Sequence, residues 1–201
     1  MAGDGLRERK KRETRIALSW AAVRLTVARG YDNVRVEDIA AEVGVSPRTF
    51  NNYFASKGEA ITARHLDRAM VIAEELRARP AGEPLWEAIA NAVLTRFGMG
   101  LDDTGADPQW VEGVRLMVGE PALQSDFIRA NAVAETEIAA AIAARTGTDV
   151  TRDLYPSLVA GAVSSAISVA MAHWQRADPP SAMEPLLRDA LGQLAAGLPV
   201  P

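Results

Sequence analysis

The sequence predicts an all-α protein in two parts, a small three-helix head and a larger helical body. Three observations predict it. Apolar residues recur at helical spacings, and alternating runs of strand type are scarce. Glycine, proline and aspartate cut the chain into segments of helical length. Charge is split along the chain: residues 1–57 carry 11 Lys and Arg against 7 Asp and Glu, and residues 58–201 carry 11 against 19. The resulting balance of +4 and −8 points to a basic module for a polyanion joined to an acidic body with another task.

The first helix is predicted over Leu6–Arg29, with Ile16, Trp20, Val23 and Val27 as its apolar stripe. Gly30 can take the left-handed conformation that ends helices. A short second helix over Val36–Val43 turns Ile39, Ala40 and Val43 inward, and Gly44 permits a sharp turn. Ser46 is a good N-cap and Pro47 suits the first helical position, so a third helix starts there and runs to about Phe54. Ser56 caps a fourth helix over Lys57–Arg79, which the PAGEP segment at 80–84 breaks. A fifth covers Leu85–Met99, followed by a polar loop, GLDDTGADP, at 100–108. Further helices are expected over Gln109–Val118, Pro121–Arg145, Leu154–Arg176 and Met183–Ala196.

Composition removes several classes of chemistry. The 201 residues are 48% apolar, enough for a real core. Without cysteine there is no disulfide frame, no thiolate zinc site and no thiol nucleophile. HExxH, GxSxG and a phosphate-cradling glycine loop are all missing from the sequence, and the acidic pair Asp102-Asp103 lies in a polar loop. The expectation is a protein that is not an enzyme and takes no metal or cofactor. The N-terminus, MAGDGLRERKKRETR, lacks the apolar stretch of a secretory signal, which predicts a cytoplasmic protein. Ser157–Trp174 has 18 residues without formal charge, long enough to span a membrane. Its Ala, Ser and Gly content favours a helix packed closely against another helix, so no membrane partner is expected.

The informative segment is VRVEDIAAEVGVSPRTFNNYFASKGEAI, residues 34–61. A short helix buries Ile39 and Ala40, Gly44 turns the chain, and Val45 fills the angle between helices. Ser46 caps the next helix, and Phe50 and Phe54, four apart, anchor its inner face. The opposite face carries Arg48, Thr49, Asn51, Asn52 and Tyr53, hydrogen-bonding residues suited to base edges and phosphates. That is the pattern of a helix-turn-helix. Residues 1–57 are accordingly expected to form a DNA-binding domain and residues 58–201 a helical ligand-binding and dimerisation domain.

Taken with the helix ending in Gly30-Tyr31, this segment resembles the N-terminal domain of the tetracycline-repressor (TetR) family of bacterial regulators. The likeness runs from about Arg15 to Ile61. It includes Val36-Glu37-Asp38-Ile39-Ala40, Gly44-Val45-Ser46-Pro47-Arg48-Thr49-Phe50, Tyr53-Phe54 and Ser56-Lys57. The departures are Arg35 for a capping Thr, Thr26 for a common Phe, Asn51 for a frequent aromatic, and Gly58 where an acidic residue is common. Arg48 and Thr49, next to Ser46 and Pro47, are expected in the major groove. Asn51 and Asn52 are expected at bases, and Tyr53, Lys57 and Arg35 at phosphates. The basic run Arg7, Arg9, Lys10, Lys11, Arg12 and Arg15 could reach along the DNA backbone or into the adjacent minor groove, or could be a frayed, solvated N-terminus.

The resemblance implies a cavity for a small-molecule effector in the body. Its candidate lining is Leu66, Met70, Trp86, Ile89, Val93, Phe97, Trp110, Val114, Met117, Phe127 and Asn131, any of which could instead be plain core. Asn131 is the best polar candidate, with His65 as a further one. The last two helices are expected to pair with their copies in a homodimer, through Leu158, Gly161, Ser165, Ile167, Ser168 and Met171, then Leu187, Leu191 and Leu194. Twofold symmetry would then double the base contacts over a palindromic double-stranded operator.

Overall fold

Helices begin and end in this chain where local groups replace the hydrogen bonds that a helix terminus lacks. Gly30 and Gly44 take φ of +80° and +72°, the left-handed region that favours glycine. The Ser46 hydroxyl accepts the Thr49 N–H at 3.1 Å, with Pro47 behind it at the first helical position. Ser56 and Glu59 form a reciprocal cap: Ser56 Oγ accepts from Glu59 N at 3.0 Å, and the Glu59 carboxylate accepts from Ala55 N at 2.6 Å. Where a capping Thr is replaced by Arg35, the work is done from the other side, as Asp38 Oδ2 accepts the Arg35 N–H at 2.8 Å.

The structure is a computed structural model, and it describes residues 2–98, 101–102, 105–106, 113, 116, 119–177 and 182–200. Its helices are α1 (Ala2–Arg29), α2 (Val36–Val43), α3 (Pro47–Asn51), α4 (Lys57–Ala78), α5 (Leu85–Gly98), α6 (Gln124–Thr146), α7 (Leu154–Arg176) and α8 (Met183–Ala195). Short 3-10 turns occupy Tyr31–Asn33 and Pro121–Leu123. Inside the expected polar loop, Leu101 pairs antiparallel with Ala106 and Asp102 with Gly105. The helix expected over 109–118 lies outside the described residues, apart from Gly113 and Leu116, which are helical. Two compact units result, one of residues 1–65 with 108–130 and one of residues 66–107 with 131–201.

In the first unit the core is built from Leu18, Ala21, Ala22 and Leu25 of α1, Ile39 and Ala40 of α2, Phe50, Phe54, and Ile61 of α4, all buried. The apolar stripe expected on α1 needs correction. Val27 is 41% exposed, and Ile16 and Trp20 are only half-buried. Val23 is buried as expected, and the buried arc runs through Leu18, Ala21, Ala22 and Leu25. Ser19, also buried, donates to the Ala60 carbonyl at 2.7 Å and ties α1 to α4.

Thr26 sits in the same core, at a position where the resemblance implies Phe. Its hydroxyl is buried and, among the described residues, finds no hydrogen-bond partner. A buried hydroxyl without a partner costs roughly 1–3 kcal/mol. Thr26→Val keeps the shape and removes the oxygen, so chemical denaturation should show a gain of about 1 kcal/mol with an unchanged m-value.

In the second unit α7 packs on α8, and α8 packs on α5. Val159, Ala160, Val163, Ala166, Ala170 and Trp174 of α7 face this core. Asp153 holds the N-cap position without a side-chain cap hydrogen bond, its carboxylate accepting instead from Asp149 N at 2.7 Å, and Pro156 falls in the first turn where its missing N–H is harmless. By length and composition α7 could cross a membrane, yet this buried face makes it a packing helix of the unit. Arg145, near the end of α6, reaches four backbone carbonyls: Leu76 (3.3 Å), Arg79 (2.9 Å), Pro80 (3.0 Å) and Glu83 (3.0 Å).

Candidate DNA-binding head

The turn between α2 and α3 is closed by backbone. Val45 N donates to the Ala40 carbonyl at 2.9 Å, and Gly44 N to that of Ala41 at 3.0 Å. Phe50 and Phe54 then hold α3 down from inside, their rings 5.6 Å apart and tilted by 50°. The guanidinium of Arg15 lies 5.3 Å from the Phe54 ring centroid. With its inner face pinned, α3 presents Ser46, Pro47, Arg48, Asn51 and Asn52 to solvent, and Arg35 is exposed at the start of α2. The helix itself is shorter than expected and ends at Asn51 rather than near Phe54. Beyond Asn51 the chain tightens, with Asn52 N on the Thr49 carbonyl (3.1 Å) and Tyr53 N on that of Phe50 (2.8 Å).

Three expected contacts sit differently from the rest. Thr49 is half-buried, and its hydroxyl is 2.9 Å from that of Ser46, so this pair serves the cap first. Tyr53 is half-buried. Lys57, expected at a phosphate, turns inward. Its ammonium donates to the carbonyls of Tyr31 (2.5 Å) and Val34 (2.9 Å) and lies 3.9 Å from the Tyr31 ring centroid. An ammonium has three protons, so two carbonyls and a ring face consume most of its capacity. Lys57 therefore fastens the turn after α1 to α4.

Tyr31 and Asp126 are the residues that sequence reasoning missed here. Burial, then the carboxylates of Asp126, Glu120 and Asp32, hold the Tyr31 phenol above its ordinary pKa of 10.0, so it stays neutral. Asp126, ion-paired with Arg129, also lies against Gly58, where a Cβ would overlap its carboxylate and touch Leu123. This accounts for glycine where the resemblance implies an acidic residue, since an acid there would collide with the Asp126 carboxylate and repel it. Tyr31 could have been singled out because it follows Gly30 in the motif. Nothing local in the sequence connects Asp126 with Gly58.

The expected effector lining is only partly placed. Ile89 and Val93 are buried, and Leu66, Met70, Trp86 and Asn131 are half-buried, all in the second unit. Phe127 belongs to the first unit, where it stacks on His65 with centroids 4.8 Å apart. Asn131 Nδ2 donates to Glu135 Oε1 at 2.8 Å, which meets part of its polar demand within its own helix. The side chains of Phe97, Trp110, Val114 and Met117 lie outside the described residues. An open cleft of about 430 Å³ sits instead at the α6–α7 turn, beside Gly147, Thr148, Asp149 and Arg152.

On α7, Leu158, Ser165 and Ser168 are exposed, and Gly161 and Ile167 are half-exposed. Leu154 and Val169, not anticipated, extend this face at 78% and 55% exposure. Met171, Leu187 and Leu191 are a correction: they are buried within the chain and covered before any partner arrives. An amphipathic stripe shows that a helix packs, not which neighbour covers it. Leu194 is half-buried.

A family model described as "Bacterial regulatory proteins, tetR family" matches residues 20–61, and one described as "MftR C-terminal domain" matches residues 83–199. The HTH-type transcriptional regulator TcmR of Streptomyces glaucescens is 36% identical over 185 residues, covering 88% of this chain and 80% of that protein. Two solved structures share the fold. SmeT, the repressor of the Stenotrophomonas maltophilia multidrug efflux pump SmeDEF, has a TM-score of 0.59 at 16% identity, covering 93% of each chain. Thermus thermophilus FadR, in complex with lauroyl-CoA, has a TM-score of 0.60 at 17% identity, covering 93% of this chain and 96% of that one. With a helix-turn-helix of the right construction at its head and family models matching both ends, this chain belongs to the TetR family of bacterial transcriptional regulators.

Proposed function

We propose that the chain is a cytoplasmic repressor that binds a palindromic operator as a homodimer and releases it when a small molecule enters the body. It acts by binding and not as an enzyme. The observation that carries the reading is the exposed polar face of α3. Arg48, Asn51 and Asn52 stand out to solvent while Phe50 and Phe54 occupy the inner face. Asn can pair bidentately with adenine, and Arg with guanine. The functional division falls near residue 57, with the head on one side and a body for ligand and partner on the other.

The effector site is assigned to the second unit, with Leu66, Met70, Trp86, Ile89, Val93 and Asn131 as its lining. That the Thermus thermophilus neighbour is a complex with lauroyl-CoA supports a small-molecule effector for this chain. Helix α4 carries Lys57 and Gly58 at one end and Leu66 and Met70 further along. A ligand that displaces α4 therefore alters the seat of the head. Two heads in register stand one DNA turn apart, about 34–36 Å, and lose affinity when that spacing changes. Linkage requires operator to weaken the effector by the same factor, typically about 1–3 kcal/mol. The test is a library screen for compounds that release operator DNA. A releasing compound whose affinity is unchanged by saturating operator contradicts this mechanism.

The dimer face is assigned to Leu154, Leu158, Gly161, Ser165, Ser168 and Val169 of α7, and to Leu194 of α8. Large apolar side chains with small ones between them suit close helix–helix packing, and a surface this apolar calls for a partner. Leu158→Glu places a charge in the middle of that face. Sedimentation velocity should then show monomers at concentrations where the parent protein is dimeric, with operator affinity lost in parallel. A Leu158→Glu protein that stays dimeric moves the interface elsewhere.

A further inference from the structure

We propose that the effector site takes an apolar amine, whose positively charged nitrogen is held by the carboxylate of Glu135 beside Asn131. The proposal rests on the effector reading above and adds the chemistry of what binds there. On α6 the residues Asn131, Glu135, Ile138 and Ile142 follow one another at spacings of four, three and four, so they share one side of the helix. Ile138 and Ile142 are buried, and so is Ala134 next to Glu135, so this side faces the core of the second unit. Where the stripe reaches the expected lining it changes from isoleucine to an amide and a carboxylate, both half-buried. The outward side of the same turns carries Ala132, Val133 and Thr136, all exposed. That reverses the usual order of an amphipathic helix, in which an acid kept only for solubility lies outside.

The charge of this carboxylate is unmatched. Its Oε1 accepts from Asn131 Nδ2 at 2.8 Å, and that neutral donor orients it without cancelling its charge. Among the described residues, no lysine, arginine or histidine pairs with it. Arg145, the next cation along the stripe, lies about 15 Å further on. It is committed to four backbone carbonyls. An ionised carboxylate accepts hydrogen bonds and donates none, so the missing partner is a donor. A protonated nitrogen is the strongest such donor, because the hydrogen bond is then charged on both sides. A carboxylate or phosphate on the ligand would be repelled at the same place. Leu66, Met70, Ile89 and Val93, the apolar members of the expected lining, suit the remainder of such a molecule.

The test uses the full chain and three compounds that share a dodecyl tail: dodecylammonium, dodecanol and laurate, each kept below its micelle concentration. Affinity is measured by titration calorimetry for the parent, for Glu135→Gln, and for Glu74→Gln as a control at an exposed carboxylate of α4. Glutamine at 135 keeps the size of the side chain and an acceptor for Asn131, so the fold is retained. The parent should bind dodecylammonium at least about tenfold more tightly than dodecanol, with laurate weakest. Glu135→Gln should bring dodecylammonium to the level of dodecanol and leave dodecanol unchanged, and Glu74→Gln should change neither. Laurate bound as tightly as dodecylammonium, no saturable dodecylammonium binding, or an unchanged order in Glu135→Gln overturns the proposal. Dodecylammonium that binds through Glu135 without weakening operator binding is a different result. It supports the cation site and overturns the reading of that site as the effector's.

Discussion

Asn51→Ala is expected to abolish most discrimination between the operator and random DNA while leaving binding to random DNA nearly unchanged. A bidentate base contact is worth about 1–3 kcal/mol, and a symmetric dimer loses it twice. The expected loss is about 2–6 kcal/mol on the operator, at least about 30-fold in affinity. Arg48→Ala, at the start of α3, should act in the same direction. The reasoning depends on position: both side chains are exposed, on a helix whose opposite face is locked by Phe50 and Phe54. A side chain that touches only phosphate gives another signature, with equal losses on all DNA and a shallower salt slope. Titrating each variant against operator and random duplex at two salt concentrations separates the two. A loss shared equally by both duplexes would place Asn51 at the backbone.

Arg145→Met is expected to give the largest loss of stability. One guanidinium satisfies the carbonyls of Leu76, Arg79, Pro80 and Glu83, which end α4 and form the PAGEP turn. These groups have no intrahelical partner, and a cation also opposes the negative end of the helix dipole. Hydrogen bonds to a charged group contribute about 1.5–3 kcal/mol each, and water recovers part of that at a half-exposed site. A net loss of about 3 kcal/mol lowers Tm by roughly 6–12 °C in a chain of this size. Lysine should not rescue it, because a point charge cannot span four carbonyls. Calorimetry of the Met and Lys variants checks both statements.

Acid should weaken the same corner. Hydrogen bonds from Arg79 first and then Asn91, together with the Arg79 and Arg145 charges, hold the Glu83 carboxyl below its usual 4.5. Its folded pKa is depressed, so its contribution is fully present above pH 4.5 and is lost as pH falls through the folded value. Glu83→Gln should flatten the pH dependence of Tm in that range.

Much of the fold was legible because its signals are local. The bounds of α2 and α7 follow from Gly44, which ends the first, and from Asp153 and Pro156, which lie at the start of the second. The polar face of α3 was legible for the same reason. What escaped depends on distant partners. Lys57 was read as a phosphate ligand, but the carbonyls of Tyr31 and Val34 claim it. Leu187 and Leu191 were read as intersubunit contacts, but the chain's own core covers them. On α1, the spacing of Ile16, Trp20, Val23 and Val27 caught only Val23 of the buried face, which also holds Leu18, Ala21, Ala22 and Leu25. Gly58 had no reason in the sequence until Asp126 was placed against it.

The central claim is that two copies of α3 read a specific palindrome. Selection of DNA from a random library by the purified full-length protein, followed by affinity measurement at physiological salt, tests it most directly. The account predicts enrichment of one inverted repeat with half-site centres one helical turn apart, about 10–10.5 base pairs. It should bind at least about 10³-fold more tightly than random duplex. No enriched sequence, or equal affinity for selected and random DNA, would contradict it.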